Sequence, residues 1–569
     1  MMHLYRSILG GLVLVFHCAY LAQAQTTPPL PNLPLPDLSE PTRPAPLDPP
    51  IPEPLPPEIP LEIPAPSAPD PQPLSPELGD VRFLIDRIDV FGTTVLEAEI
   101  AALTQPLEGQ ELSLNDLLNL RTEITNLYLR NGYATSGAFL PTNQDLTSGV
   151  VQIQVIEGSV EAIQVNGLTH LREGYVRDRI SLATQSPLKV SRLEDALRLL
   201  QIDPLLDRVD AELTAGSRPG QNLLILDVAE ADPFDLALTT DNSRSVSTGS
   251  VQAEVLALHR NVLGFGDFAS VRYNHTEGLD LYELRYGIPL NAYDGTLQVR
   301  YEKADSQIVT SQFVDAGIRN ENETFSVSYR QPLTRSINQE WALGLALDVR
   351  RSSSFILDDI PFSFSIGPDN GVASVSALRF SQEWLKRDIN RVLAARSQFS
   401  LGLNLFDATV NDTGTDGQFF AWLGQFQWVE QLPPGWLLVS RLNTQLTSDS
   451  LLPLERFSVG GPDTVRGYAQ NQIVTDNALI GSVELRMPLS AIPNELLLIP
   501  FIDVGTGWNN QTENPNPSVL MGTGLGVQWQ PNQDINLRLT YGLPLIGVPN
   551  QGNSLQESGL YFSFTYQPF

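Results

Sequence analysis

From Phe234 onward the chain repeats one pattern: short segments in which apolar and polar residues alternate, separated by turns or polar loops. In residues 324–330, Phe325, Val327 and Tyr329 alternate with Ser326, Ser328 and Arg330. In 534–541, Ile535, Leu537, Leu539 and Tyr541 alternate with Asn536, Arg538 and Thr540, and 296–301 behaves alike. Successive strand side chains point to opposite faces, so each segment has one apolar face and one polar or charged face. A soluble sandwich turns the apolar face inward. A membrane barrel turns it outward to lipid and keeps the polar face around a wet lumen. The length of the amphipathic run, and a start that reads as an export signal, favour the barrel. Sixteen candidate strands begin near Phe234, Val251, Asp267, Asp280, Thr296, Glu323, Glu340, Val372, Ser397, Gln418, Gly435, Asn477, Leu496, Val519, Asp534 and Gly559. An even number suits a bacterial barrel, and about 16 strands enclose a lumen wide enough for an aqueous channel.

The export signal rests on Arg6, the apolar run 8–16 and Ala22-Gln23-Ala24, which together predict a signal peptide over 1–24. No later window holds roughly 20 consecutive apolar residues, so no transmembrane helix is expected and a membrane-spanning chain of this kind has to be a barrel. Cys18 is the sole cysteine, and its loss with the signal leaves no disulfide or thiolate chemistry. Thirty-five basic and 65 acidic residues give a net charge of -30, which argues against nucleic acid as a partner. Residues 25–80 are dominated by proline and read as a polyproline II tether, or as a ligand for a proline-binding partner.

Residues 81–232 contain an internal repeat of roughly 75 residues. The first copy reads as a strand over 83–91 closed by Gly92, a short helix near 95–103, a longer helix capped by Ser113, a stop at Asn131-Gly132, and strands over 134–140 and 149–156. Leu114, Leu117, Leu118, Ile124, Leu127 and Tyr128 form the apolar stripe of the longer helix. The second copy repeats the order with a strand at 160–165, Asn166-Gly167, helices near 173–181 and 191–201, and strands at 209–213 and 222–228. Each copy is a small α+β unit with helices on one sheet face.

Two motifs stand out inside the strand-rich region. Val465-Arg466-Gly467-Tyr468 lies in the long interruption 451–475, preceded by Gly460 and Gly461. Phe501-Ile502-Asp503-Val504-Gly505 occupies a later strand. A lone arginine and a lone aspartate in such a setting suggest an ion pair inside a barrel.

Two such modules followed by a barrel with V-R-G-Y and F-x-D-x-G resemble the transporter partner of two-partner secretion. This is the hemolysin activation/secretion branch (ShlB/FhaC/HecB type) of the Omp85 superfamily. The resemblance covers essentially everything after residue 80. It implies POTRA domains at 81–158 and 159–232 and a transmembrane β-barrel at 233–569. It implies that the loop from Glu455 through Tyr468 folds back into the lumen, with Arg466 meeting Asp503 on the inner wall. In a confined, partly solvated lumen such a pair would contribute about 1–3 kcal/mol. It also implies an outer-membrane location with the modules in the periplasm. The implied partners are an unfolded exoprotein client, outer-membrane lipid, and the barrel assembly machinery during biogenesis. Exposed strand edges of the modules would take the client by β-augmentation.

The chain departs from the family pattern in three places. Thr475-Asp476-Asn477 stands where a Gly-Asp-x-Gly element is common. Leu560, Phe562, Phe564 and Tyr566 alternate, but Gln567-Pro568 puts the terminal Phe569 out of phase. Proline-rich sequence stands where many members carry a plug helix. The implied function is secretion of a dedicated exoprotein through the barrel. The alternatives are an Omp85-type insertase of other barrels and a solute porin. No enzyme, cofactor or metal site is expected. The five histidines are scattered; Ser186-Pro187-Leu188-Lys189 lacks the companion motifs of a serine acylase; Gly522-Thr523-Gly524-Leu525-Gly526 lacks a P-loop lysine.

Overall fold

The computed structural model describes residues 81–568 apart from 143, 145–147, 413, 490–494 and 550, together with Pro41. The expected signal peptide, the rest of the proline-rich tether, the place of a plug helix and Phe569 lie outside the described residues.

The first module contains β1 (Arg82–Ile85), β2 (Arg87–Phe91), α1 (Glu97–Thr104), β3 (Gln110–Ser113), α2 (Leu114–Arg130), β4 (Gly137–Phe139) and β5 (Val150–Ile156). The single strand expected over 83–91 is broken at Asp86, where the Asp86 and Arg87 amides both donate to the Gly149 carbonyl. β1 then pairs antiparallel with β3, a strand that Gln-Glu-Leu-Ser does not betray by alternation. Ser113 caps α2 reciprocally: its hydroxyl accepts the Asp116 amide at 3.2 Å, and Asp116 accepts the Ser113 amide at 2.8 Å. Leu117, Leu120, Ile124 and Tyr128 form the buried stripe, so Leu120 takes the place expected for Leu114 and Leu118.

The second module contains β6 (Ser159–Asn166), α3 (Glu173–Ser181), α4 (Val190–Gln201), β7 (Leu206–Ala215) and β8 (Gln221–Glu230). Its sheet order β6-β8-β7 matches β2-β5-β4 of the first, with the first strand parallel to the last in both. The repeat extends to atoms. Gly92 and Gly167 hold φ of +85° and +89°, and a Cβ there would lie 2.3 and 2.0 Å from the carbonyls of Val155 and Val228. Just past those carbonyls, Glu157 accepts the Thr94 amide at 2.7 Å, and Glu230 accepts the amides of Thr169, His170 and Leu171 at 2.6–2.9 Å. Each module encloses its own apolar core.

The remainder contains β9 (Phe234–Asp241), β10 (Gln252–His259), β11 (Phe268–His275), β12 (Leu279–Pro289), β13 (Thr296–Gln307), β14 (Arg319–Arg335), β15 (Gln339–Ile356), β16 (Ile360–Pro361), β17 (Val372–Arg387), β18 (Arg391–Leu403), β19 (Phe420–Leu432) and β20 (Trp436–Thr447). It continues with β21 (Phe457–Val459), β22 (Ile473–Thr475), β23 (Asn477–Pro488), β24 (Leu496–Trp508), β25 (Val519–Trp529), β26 (Ile535–Pro544) and β27 (Leu560–Tyr566). All of these except β16, β21 and β22 form one closed antiparallel barrel of sixteen strands, as expected from the alternation. β16 only extends the end of β15, which itself pairs with β17. Closure joins β27 to β9 over residues 563–566 and 238–241, and the Asn242 side chain continues the seam by bonding the Leu560 carbonyl and the Phe562 amide. Pro568 lies beyond the end of β27, where its missing N–H costs no ladder bond.

Burial decides between the two homes considered for the strands. Leu284 and Leu539 are 52% and 53% exposed on the outside, while Glu484 and Asp503 are 1% and 0% exposed inside. That inversion is the signature of a wall facing lipid. Among the described residues no helix is long and apolar enough to cross a membrane; the crossing elements are strands.

The second module docks on the turns at one barrel end. Arg172 donates its amide to the Gly264 carbonyl at 2.8 Å and stacks its guanidinium 3.6 Å over the Phe265 ring. Arg179 pairs with Asp294 in the β12–β13 turn.

With a complete core in each copy, residues 81–232 expressed alone are expected to give a mixed helix and strand circular dichroism spectrum and a cooperative melt. Glu230 adds a pH signature. Burial raises its carboxyl pKa, but three backbone amides outweigh this and hold it below its ordinary value of 4.5. A depressed folded value means stability that is present above the ordinary value and is lost as pH falls through the folded one. The melting temperature should therefore drop on acidification below about pH 4.5, and Glu230→Gln should be less stable at neutral pH with a flatter acid limb. An uncooperative melt would remove the module assignment.

Candidate functional site

Residues 448–476, between β20 and β23, fold into the lumen. β21 and β22 pair as an antiparallel hairpin, with Phe457 opposite Thr475 and Val459 opposite Ile473. Phe457, Val459, Val465, Tyr468 and Ile473 are all buried, and they pack with Leu423, Ile480 and Leu520 of the wall. The loop thus brings an apolar core into a space expected to be merely wet. Gly460 and Gly461, with φ near +107° and +106°, turn the chain at the hairpin's inner end.

The wall beneath the tip is a two-by-two block. Alternation puts Ser482 and Glu484 of β23 on one face, and likewise Phe501 and Asp503 of β24. Register sets Ser482 opposite Asp503 and Glu484 opposite Phe501. Arg466 inserts into this block. Its Nε and Nη2 donate to the two Asp503 oxygens at 2.7 and 2.8 Å, a bidentate fork. Nη1 reaches Glu484 at 3.0 Å, Nη2 also meets Ser482 Oγ at 3.2 Å, and the Arg466 backbone amide donates to Asp503 at 3.0 Å. The guanidinium carbon sits 3.6 Å from the centroid of the Phe501 ring.

The expected Arg466–Asp503 pair is therefore present, but its surroundings differ from the partly solvated lumen read from the sequence. Arg466 is 4% exposed and Asp503 0%, because the loop's own apolar residues exclude water. Glu484, which the sequence reading missed, is a hub. Besides Arg466 it meets Arg486 at 2.8 Å, and Arg441 and Arg538 at 3.5 Å each. Its only sequence signal is an acid on the inward register of β23, two residues from Ser482. In a desolvated cluster, loss of one partner costs roughly 3–5 kcal/mol, more than the 1–3 expected for a wet pair.

The other motif residues are accounted for sterically. A Cβ on Gly467, at φ +105°, would lie 2.9 Å from Pro544 N, and the Gly467 amide donates to Tyr561 Oη at 2.7 Å. Tyr468 Oη lies 2.8 Å from the Met521 carbonyl and accepts the Ile546 amide at 3.1 Å. Gly505 faces the loop, and a Cβ there would sit 2.7 Å from both Val459 and Val465. Gly522 acquires a role that sequence could not assign: a Cβ there would lie 1.8 Å from the Arg466 carbonyl.

A second clasp of opposite polarity holds the loop's entry. Glu455, 3% exposed, is held by Arg379 of β17 at 2.8 and 3.0 Å and by Arg350 of β15 at 3.2 Å. Arg379 in turn bonds Asp348 at 2.6 Å. Asp476, in the departure from the family pattern, is fully buried and accepts the Leu451 and Asn510 amides at 3.0 Å each, tying the loop's exit to its entry.

These contacts generate a protease test. Gly522→Leu should expel the tip, and Arg466→Ala should leave Asp503 buried without its cation, while Glu484 keeps Arg441, Arg486 and Arg538. Both are expected to make residues 460–470 cleavable in the folded barrel, while a conservative Val527→Ile on the outer face should not. Uncut loops in both variants would show that the tip is held by the remaining packing alone.

Comparison with known proteins places this geometry. The Outer membrane transporter CdiB of Escherichia coli O6:K15:H31 (strain 536 / UPEC) is 26% identical over 485 residues, covering 82% of this chain and 79% of that protein. The Hemolysin transporter protein HpmB of Proteus mirabilis is 23% identical over 503 residues, covering 85% and 86%. The solved structure of CdiB from Escherichia coli shares the fold, with TM-score 0.66, 22% identity, and coverage of 87% of this chain and 92% of that one. Residues 83–158 match the ShlB-type POTRA domain. Residues 220–529 match the model of the Haemolysin secretion/activation protein ShlB/FhaC/HecB family, and the chain belongs to that family.

Proposed function

We propose that this chain is an outer-membrane translocase which takes one unfolded exoprotein from the periplasm and passes it through its own barrel. Residues 81–158 and 159–232 serve as two POTRA domains that receive the client, and 233–569 form the conduit. The observation that carries the reading is the clasped loop. A lumen already occupied by a folded hairpin, held by charged groups at both its entry and its tip, is suited to a gated polypeptide path and ill suited to a passive solute porin. Arg466 and Asp503 act by positioning that hairpin, and nothing in the transfer calls for covalent chemistry. Module edges that pair backbone to backbone suit an unfolded client, since such recognition asks little of side chains. The barrel strands face outer-membrane lipid, and their insertion during biogenesis is the task of the barrel assembly machinery.

Deleting the gene and comparing secreted with outer-membrane proteomes tests this reading. Loss of one large secreted protein is the expected result; a general decline of outer-membrane barrels would favour an insertase instead. At residue level, Arg466→Ala and Asp503→Ala should each cut client secretion while membrane abundance stays near wild type. The double variant should be little worse than either single one, the non-additivity of contacting partners. Multiplicative losses would separate the two residues, and normal secretion by Arg466→Ala would take the loop out of the mechanism.

A further inference from the structure

The outer wall of the barrel carries a notch whose chemistry the transport reading does not use. Asp348, Arg379, Glu383 and Arg396 point into the lumen, where they bond the loop or one another. Alternation then turns Phe380, Gln382, Trp384 and Lys386 of β17 outward. Across the ladder, Gln382 stands opposite Ser397 of β18, which stands opposite Gly424 of β19, which stands opposite Thr444 of β20. This row of small and polar residues cuts through a belt otherwise built of tryptophan, phenylalanine and leucine. It leaves a cavity of about 360 Å³, rimmed by Trp341, Trp384, Trp422, Phe426 and Leu442.

The notch is built, not an accident of loose packing. The Trp422 indole lies across Gly424, where a Cβ would come within 2.8 Å of the ring, and its Nε1 donates to Ser397 Oγ at 2.9 Å. Gln382 is exposed at the edge of the notch and has no hydrogen-bond partner among the described residues. A primary amide facing hydrocarbon is costly, because no water reaches it. Two steps along β17, on the side of the second module, comes Trp384, and two further steps on comes Lys386, exposed and without an ion-pair partner among the described residues. The neighbouring outward cation, Arg391, is already neutralised by Glu430 at 2.5 and 3.0 Å. From the level of the notch toward the periplasm, β17 thus presents an amide at the notch, an indole on its rim and then a free ammonium. The amide and ammonium are about 13 Å apart along a tilted strand, and both side chains are flexible.

We propose that this strip, on β15 and β17–β20, is a binding site for one anionic glycerophospholipid of the periplasmic leaflet. One acyl chain fills the notch over Gly424. The ester carbonyl accepts the Gln382 amide, and the phosphate meets Lys386. The chemistry matches in order: an acyl chain is the one occupant the surrounding solvent supplies, tryptophan marks the interface depth, and an unpaired lysine there attracts phosphate.

The test is native mass spectrometry of the full-length protein in detergent, titrated with phosphatidylglycerol, with heat-modifiable gel mobility reporting the folded barrel. Wild type should retain one phospholipid per chain. Lys386→Gln and Gln382→Leu should each lower retention about tenfold, the loss expected for one charge-assisted or amide hydrogen bond out of water. Gln382→Leu places an apolar side chain against lipid, so folding is not at stake. Lys303→Gln, at a lysine paired with Asp305 elsewhere on the barrel, should retain lipid as wild type does. Equal retention by Lys386→Gln, Gln382→Leu and wild type would overturn the site. So would a dimer that Gln382→Leu dissolves, since the occupant would then be a second copy of the chain.

Discussion

A guanidinium buried to 4% exposure has to be fully served or not buried at all, and the position of the whole lumen loop follows from that requirement. The service is unequal in an instructive way. Glu484 is shared among Arg441, Arg466, Arg486 and Arg538, so it keeps three cations if the loop withdraws. Asp503 has the Arg466 side chain, the Arg466 amide and Ser482. Without the loop it keeps, among the described residues, only the Ser482 hydroxyl. Asp503 is therefore the group whose solvation most depends on loop position, while Glu484 is a standing feature of the wall. A clasp of that kind favours two discrete states over a continuum, because an intermediate would leave charges neither paired nor hydrated.

Shape supports charge. Gly505 and Gly522 face the loop from the wall, and any Cβ at either would occupy space that Val459, Val465 or the Arg466 backbone already fills. The same device recurs in the modules, where Gly92 and Gly167 let the chain pass a carbonyl of the last strand before a glutamate catches it. The second clasp, Glu455 in the grip of Arg379 and Arg350, inverts the polarity of the first. The loop presents an acid at its entry and a base at its tip, and the wall presents the complements, so the hairpin can dock in only one sense.

Much of the architecture was legible in the residues themselves. Period-two alternation announced the barrel strands, because burial of one face is written directly into every second residue; Ser113, Gly132 and the 3–4 spacing of apolar residues announced α2. The repeat was visible through Gly92 and Gly167. Within the site, Arg466 and Asp503 were legible as the isolated charges of two short motifs. What could not be read was β3, four residues with no alternation of their own, whose pairing exists only because β1 lies beside it.

The sequence by itself determined which residues can face lipid and which must face a polar interior, since that is a property of neighbours two positions apart. Tertiary structure alone decided which inward charges meet. Glu484 joins Arg466 through antiparallel register, and Arg379 joins Glu455 across 76 residues of chain. It also decided that the lumen around Arg466 is dry, because the water is displaced by Val459, Val465 and Tyr468 arriving from a loop. Long-range juxtaposition of this kind follows from closure of the barrel and has no local signature for a sequence to carry.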